Sequence, residues 1–381
     1  MTKVTSRLPD VGTTIFTVMS RMAQACGAIN LSQGFPDFPI DATLVGLVEK
    51  YMREGLNQYA PMPGLPALRE AIAGMLSVEY QRPFDSEQQI TVTAGGTEGL
   101  YAAIAALIHQ GDEVILFDPS YDSYGPAIRL NGGVPVHINL APPDFAIDWQ
   151  AVASRVTPRT RMTVINTPHN PTGAVWSTTD LRQLESLAEE HDLIVLSDEV
   201  YERIIFDGHL HQGVLRSASL RDRSVAVFSF GKTFHATGWK VGYVVASAAL
   251  TTEIRKTHQF LTFSVNTPVQ AALAEYLENK DHYTGLGIFY QKKRDYFLHS
   301  MKGSSLEPLA SHGSYFQLFS YRHLSKEADT QMAETLTRNN LVASIPVSVF
   351  YRDGTDHRLL RFCFAKQEET LLRAAEILRK L

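Results

Sequence analysis

Residues 162–202 read MTVINTPHNPTGAVWSTTDLRQLESLAEEHDLIVLSDEVYE. Two near-continuous apolar runs, 162–166 and 193–197, flank a stretch over 179–191 with helical spacing of its apolar positions. An apolar run without alternation is what a strand buried on both faces looks like, so the stretch predicts a strand, a crossover helix and a parallel strand. The same rhythm extends in both directions. Residues 90–93 predict a strand followed by a helix over 97–108, 114–117 the next strand, and 225–229 a fifth. Residues 241–246 add an edge strand, and 250–261, 268–279 and 283–301 predict helices. Strands alternating with helices predict an α/β fold, a mostly parallel sheet covered on both faces. After about residue 300 the rhythm shortens to runs at 314–319, 343–345 and 359–364, the pattern of a separate α+β unit. The first forty residues, rich in Pro and Gly around GFPDFP, show no parallel-strand rhythm and are expected to wrap onto that unit. There is no internal repeat and no linker of biased composition, so the units should pack closely.

At ~150 residues per domain, 381 residues predict two to three domains. Hydrophobic residues at 44% with 20% charged ones describe an ordinary globular chain, not a disordered or fibrous one. Lys+Arg 35 against Asp+Glu 40 leaves a net charge of −5, no field for a phosphate polymer, and nucleic acid is not expected as a partner. Cys26 and Cys363 stand alone in no metal-ligand spacing, so neither a disulfide framework nor a metal site is expected, and both read as buried apolar residues. The start, MTKVTSRLPDVGTTIF, lacks a signal-peptide apolar core. The longest apolar run, near 100–108, is about half of what spans a bilayer, so a cytoplasmic protein without a membrane partner is expected.

In open parallel sheets ligands bind beyond the carboxyl ends of the strands, so the residues after each strand carry the chemistry. After 90–93 come Gly95, Gly96 and Thr97 at a helix start, where free N–H groups suit an anion. The spacing fits neither G-x-G-x-x-G nor the P-loop, since Ala226 stands where the latter's first glycine belongs relative to Gly231-Lys232-Thr233. After 193–197 comes Asp198, a carboxylate whose burial needs a cationic partner, with Tyr201 beyond it. After 225–229 comes Lys232, an amine that loses hydration there and gains nucleophilicity. The loop TPHNPTG carries Asn170, and DPSYDSY puts Tyr121 at the same edge. An anion cradle, a flat ring, an amide, a carboxylate with a tyrosine and a lysine together suit a phosphorylated heteroaromatic aldehyde.

The chain resembles fold type I, pyridoxal-5′-phosphate (PLP)-dependent class I aminotransferases, in the branch of methionine aminotransferases and kynurenine/glutamine transaminases. The resemblance is carried by NLSQGFPDF (30–38), NQYAPMPGLPALREAIA (57–73), VTAGGTEGLYAA (92–103), FDPSYDSY (117–124), NTPHNPTG (166–173), SDEVYE (197–202), SFGKTFHATGWKVGY (229–243) and LRFCFAK (360–366). It implies a large PLP domain with a seven-stranded sheet over 45–286, and a small α+β domain built from 1–44 and 287–381. It further implies that Lys232 forms the Schiff base with PLP and moves the substrate's Cα proton. Asp198 would pair with the pyridine nitrogen, Tyr201 and Asn170 with the phenolic oxygen, and Tyr121 would stack on the ring. The phosphate would fall to Gly95, Gly96, Thr97, Ser229 and Lys240, with Tyr59 reaching in from the partner of a homodimer. Arg361 would clamp the substrate α-carboxylate beside Asn170 and Gly34, its flanking apolar residues marking it as buried. Phe16, Tyr124 and Phe263 would line the side-chain pocket, whose apolar character suits methionine or aromatic amino acids. Phe16, where kynurenine-type relatives often carry tryptophan, and Ser264 are departures from that pattern; His169 stands where many members carry asparagine, with no role assigned.

The expected activity is a ping-pong transamination from methionine, and also from aromatic amino acids, glutamine or kynurenine, to a 2-oxo acid. A PLP-dependent C–S β-lyase is the neighbouring alternative. A non-catalytic PLP-binding regulator is the distant one, and the stretch before GFPDF is short and not basic enough for a DNA-binding effector domain.

Overall fold

The buried runs form a seven-stranded sheet. In the computed structural model, which describes residue 2 and residues 4–381, its strands are β1 (Ile90–Thr93), β2 (Glu113–Asp118), β3 (Val134–Asn139), β4 (Thr160–Asn166), β5 (Ile194–Asp198), β6 (Ser224–Ser229) and β7 (Gly242–Ala246). Their order across the sheet is β1-β7-β6-β5-β4-β2-β3. All neighbours run parallel except β7, which is antiparallel to both β1 and β6. Helices cover both faces, and the apolar side chains of the strands divide between two cores. The helix Thr178–Glu190 between β4 and β5 begins in a capping box, Ser177 and Asp180 each bonding the other's backbone amide.

Two strands depart from expectation. The run expected at the edge, 241–246, is β7, an interior strand with every residue buried. A Cβ on Gly242 would lie 2.4 Å from the Phe228 carbonyl oxygen and 3.0 Å from the Gly95 carbonyl carbon. Only a glycine lets β7 enter between its neighbours there. The edges are β1, beside β7, and β3 at the far side, which carries Pro135 and is half-exposed along its length; a proline and weak alternation hide such an edge strand from a periodicity reading.

Beyond the sheet, Ile345–Pro346, Leu359–Cys363, Phe316–Ser320 and Glu307–Pro308 pair antiparallel in that order. The single run expected over 343–345 divides, because Val342–Ala343 pairs in parallel with Ile29–Asn30 of the N-terminal segment. The helix Ile15–Cys26 packs on Asp329–Asn339, so the N-terminal segment wraps onto the C-terminal unit and shares its core. Cys363 is buried in that core, whereas Cys26, at a helix end, is only half-buried. Among the described residues no helix is long and apolar enough to cross a membrane.

Candidate active site

The carboxyl ends of five strands and one face of the C-terminal unit close around a cavity of about 330 Å³. At the end of β1 the chain turns through Gly95, at φ 79°, into the helix Gly96–Leu107. Lys240, itself at φ 54°, folds its side chain over this turn, so that a Cβ on Gly95 would lie 3.3 Å from the Lys240 Nζ. That ammonium has no hydrogen-bond or ion-pair partner among the described residues, and Thr97 and Ser229 line the cavity with it. A helix N-terminus, two hydroxyls and an unpartnered cation make a site for an anion.

The end of β5 carries Asp198, buried in the cavity floor. Its Oδ2 accepts from the Tyr124 hydroxyl at 2.5 Å and its Oδ1 from the Val200 amide at 3.3 Å. Burial pushes its pKa up to about 6, against the pull of these two donors and of the Lys232 charge. After β6 the single turn Phe230–Thr233 carries Lys232, whose amine donates to the Tyr315 hydroxyl at 2.8 Å. Burial pulls that amine down to about 8. A neutral, nucleophilic form is therefore accessible near neutral pH. Tyr201 packs edge-on against Tyr315, and burial raises its hydroxyl well above the ordinary tyrosine value.

Arg361 enters from the strand Leu359–Cys363 and is 1% exposed. Its Nη1 donates to the Asn170 side chain at 2.8 Å and its Nη2 to the Ser32 carbonyl at 3.0 Å, while the Phe316 ring lies 3.9 Å beneath it. Its Nε is buried without a partner, and burial lowers its pKa to about 10. Asn170 is fixed in turn by its backbone N–H, which donates to the Asn166 Oδ1 at 2.8 Å.

The structure thus brings Phe16, Gly34, Gly95, Gly96, Thr97, Tyr121, Asn170, Asp198, Tyr201, Ser229, Lys232, Lys240 and Arg361 to one cavity. Tyr124 and Phe263 stand outside it, as does Tyr59, expected to act from a partner subunit. Tyr124 does not line the cavity as a substrate wall; it lies behind Asp198 as its hydrogen-bond donor. Tyr59 is 82% exposed and meets the half-exposed Phe263 edge-on at 5.3 Å, both outside the cavity. His169 finds a structural place: its Nδ1 lies 2.7 Å from the Thr172 hydroxyl, and burial holds it neutral, down to about 4, inside its loop. Sequence reasoning missed Tyr315, Phe316 and Gln33. Tyr315 precedes and Phe316 opens an apolar strand whose pattern differs in nothing from a core strand. Gln33 donates to the Phe16 carbonyl at 2.8 Å, fixing the segment that carries Phe16.

The donor set fits PLP. An unpartnered lysine over a glycine turn suits a phosphate, a buried carboxylate suits a protonated ring nitrogen, and a desolvated amine suits an aldehyde.

Comparison with known proteins agrees. The family model for aminotransferase class I and II matches residues 27–378. Methionine aminotransferase of Escherichia coli (strain K12) is 52% identical over 377 residues, 99% of this chain and 98% of that protein. Human kynurenine–oxoglutarate transaminase 1 is 32% identical, covering 94% of each chain. Among solved structures, an Escherichia coli protein with a methionine aminotransferase function superposes with a TM-score of 0.98 at 52% identity over 100% of both chains. The N-succinyldiaminopimelate aminotransferase of Mycobacterium tuberculosis superposes with a TM-score of 0.95 at 35% identity, over 99% of this chain and 100% of that one. The chain belongs to the class I and II aminotransferases and is a PLP-dependent transaminase of fold type I.

Proposed function

We propose that the chain transfers the amino group of methionine, and less selectively of aromatic amino acids, to a 2-oxo acid in two half-reactions at the one cavity. The observation that carries this is the cation count. Lys232, Lys240 and Arg361 are the cations lining the cavity among the described residues, and the family's chemistry occupies all three. None is left to pair a side-chain carboxylate, while Phe16 and Phe316 offer apolar surface. The likeness to a methionine aminotransferase supports the same donor.

When bound, PLP supplies an aldehyde that takes up the amino group and a ring that accepts the electron pair left at Cα. Lys232 would take the Cα proton, the C–H bond breaking as an N–H bond forms on the lysine, with the electron pair left at Cα. Asp198, with Tyr124 and Val200 donating to its carboxylate, would pair with the ring nitrogen. Lys240, Ser229, Thr97 and the Gly95-Gly96 turn would hold the phosphate, Tyr121 would cover the ring, and Tyr201 and Asn170 would bond its phenolic oxygen. Arg361 presents its open Nε edge to the α-carboxylate beside Gly34.

The same proposal divides the chain into 1–44, 45–286 and 287–381 and makes it a cytoplasmic homodimer. Tyr59 and Phe260, 84% exposed, with the half-exposed Leu261 and Phe263, offer an apolar face to a second copy, whose phosphate site Tyr59 completes. Adding methionine to the purified protein should abolish the visible absorption band of the lysine-bound cofactor, and a 2-oxo acid should restore it. A protein without such a band overturns the reading. Pyruvate, ammonia and thiol released from cystathionine without an acceptor would point to the lyase instead.

A further inference from the structure

We infer that the Tyr315 hydroxyl and the Gly34 carbonyl form the resting site of the Lys232 amine whenever that amine is free of the cofactor, and that this site holds it as an ammonium. The inference rests on Lys232 being the cofactor lysine.

The geometry comes from three distant segments. Tyr315 is fully buried, and its hydroxyl donates to the Gly34 carbonyl oxygen. With its proton so engaged, the hydroxyl oxygen can only accept, and it accepts from Lys232 Nζ at 2.8 Å. The Gly34 oxygen lies 3.4 Å from the same nitrogen. The Tyr315 and Tyr201 rings stand 5.4 and 5.5 Å from it. The groups that meet the amine are therefore two oxygen acceptors, with the Tyr201 ring beside them. An ammonium brings three donors to such a site, whereas a neutral amine brings two and a lone pair with nothing to accept. Burial opposes the charged form most strongly, as Arg361 and Lys240 also do further out, while Cys363 and Asp198 favour it.

The local fold aims Tyr315 at this point. Ser314 sits at φ 62° just before the strand Phe316–Ser320, and a Cβ on Gly313 would lie 2.6 Å from the Pro168 Cβ, so the turn is pressed against the loop that carries Asn170. Tyr201, Tyr290 and Phe316 pack around the ring at 5.1, 5.7 and 4.9 Å.

A resting site of this kind has a place in the cycle. The lysine that has taken the Cα proton is an ammonium and must keep that proton nearby until it is delivered back to carbon. Tyr315 and Gly34 hold it without competing for the proton, because the hydroxyl is committed to the carbonyl and burial raises it far above the ordinary tyrosine value. Tyr315 acts on the reaction as a positioning residue for Lys232.

The test is the rate at which the apoenzyme captures PLP, followed by the visible band as a function of pH. Capture needs the neutral amine, so the rate rises with pH through the amine's titration. Tyr315→Phe keeps the ring and its packing but removes the acceptor. It should move the midpoint down by about one pH unit, the size of one hydrogen bond to a charged group, and slow the methionine half-reaction severalfold at unchanged methionine affinity. An unchanged midpoint overturns the inference and leaves the Lys232 reading intact. A visible band surviving in Lys232→Ala overturns that reading instead. Should Tyr315→Phe fail to fold, the intact apoenzyme decides: with 15N-labelled lysine at neutral pH, Lys232 should give a slowly exchanging ammonium signal that Lys232→Ala lacks, and its absence overturns the inference.

Discussion

Removing one oxygen atom behind Asp198 should alter how this protein binds its cofactor, and in one direction of pH only. In Tyr124→Phe the donor to Asp198 Oδ2, at 2.5 Å, is lost, and the Val200 amide at 3.3 Å remains as the other fixed donor. Burial already holds the carboxyl near 6, and the Tyr124 hydrogen bond is the strongest of the interactions that pull it back down. A hydrogen bond to a charged group contributes about 1.5–3 kcal/mol, and one pKa unit is about 1.4 kcal/mol, so the carboxyl should rise by about one to two units. At pH 7 the wild-type group is mostly ionised, whereas the variant's is half protonated or more. A protonated carboxyl cannot stabilise a charged ring nitrogen, so PLP affinity falls at neutral pH and recovers once the variant carboxyl ionises. The assay is equilibrium binding of PLP to the two apoproteins between pH 5 and 9. The acid limb of the affinity profile should move to higher pH by about one unit or more, the curves converging at the alkaline end. An unmoved limb refutes the role of the hydroxyl, and a uniform loss at every pH would mean that the substitution merely disturbed packing.

Three further outcomes follow from the same geometry. Arg361→Lys replaces a buried fork that bonds both Asn170 and Ser32 with a single point charge, and kcat/KM for methionine should fall roughly 100-fold, about 2.7 kcal/mol, chiefly through KM; retention within a factor of three would refute the clamp. Asp198 has a folded-state pKa raised from 3.8 to about 6, so its ionisation opposes folding of the apoprotein, not at all below about pH 4 and by about 3 kcal/mol above pH 7. The Asp198→Asn apoprotein should accordingly melt higher than wild type at pH 8, with the gap closing towards pH 4, while binding PLP poorly; a lower melting temperature at pH 8 contradicts the assignment. Gly242→Ala drives a Cβ to 2.4 Å from a backbone oxygen and should cost more than about 3 kcal/mol or yield no folded protein. Gly238→Ala, with nothing within 4 Å of the added carbon, is its control, and equal melting of the two would refute the packing argument.

Asp198 and Lys232 were legible because a buried parallel strand can end in only one place, the carboxyl edge of its sheet, so a polar residue immediately after such a run has a known address before any contact is known. That logic fails wherever a role depends on what packs against the strand. The run at 241–246 shows its burial in its apolar residues but not its neighbours or direction; those follow from Gly242 fitting against Phe228 and Gly95, a contact among three segments. Tyr121 and Tyr124 are equivalent in the string FDPSYDSY, yet the helix Tyr124–Leu130 begins at the second and turns its ring to Asp198, 74 residues on, while the first stays in the cavity. Tyr315 is the limiting case. Its neighbours in sequence describe a core strand, and its contacts are Lys232, 83 residues back, and Gly34, 281 residues back. Strand-end chemistry belongs to one unit of the fold and can be read along the chain, whereas a group supplied across the junction of two units exists only once both have packed, and so a residue that positions the reacting lysine is the last thing a sequence discloses.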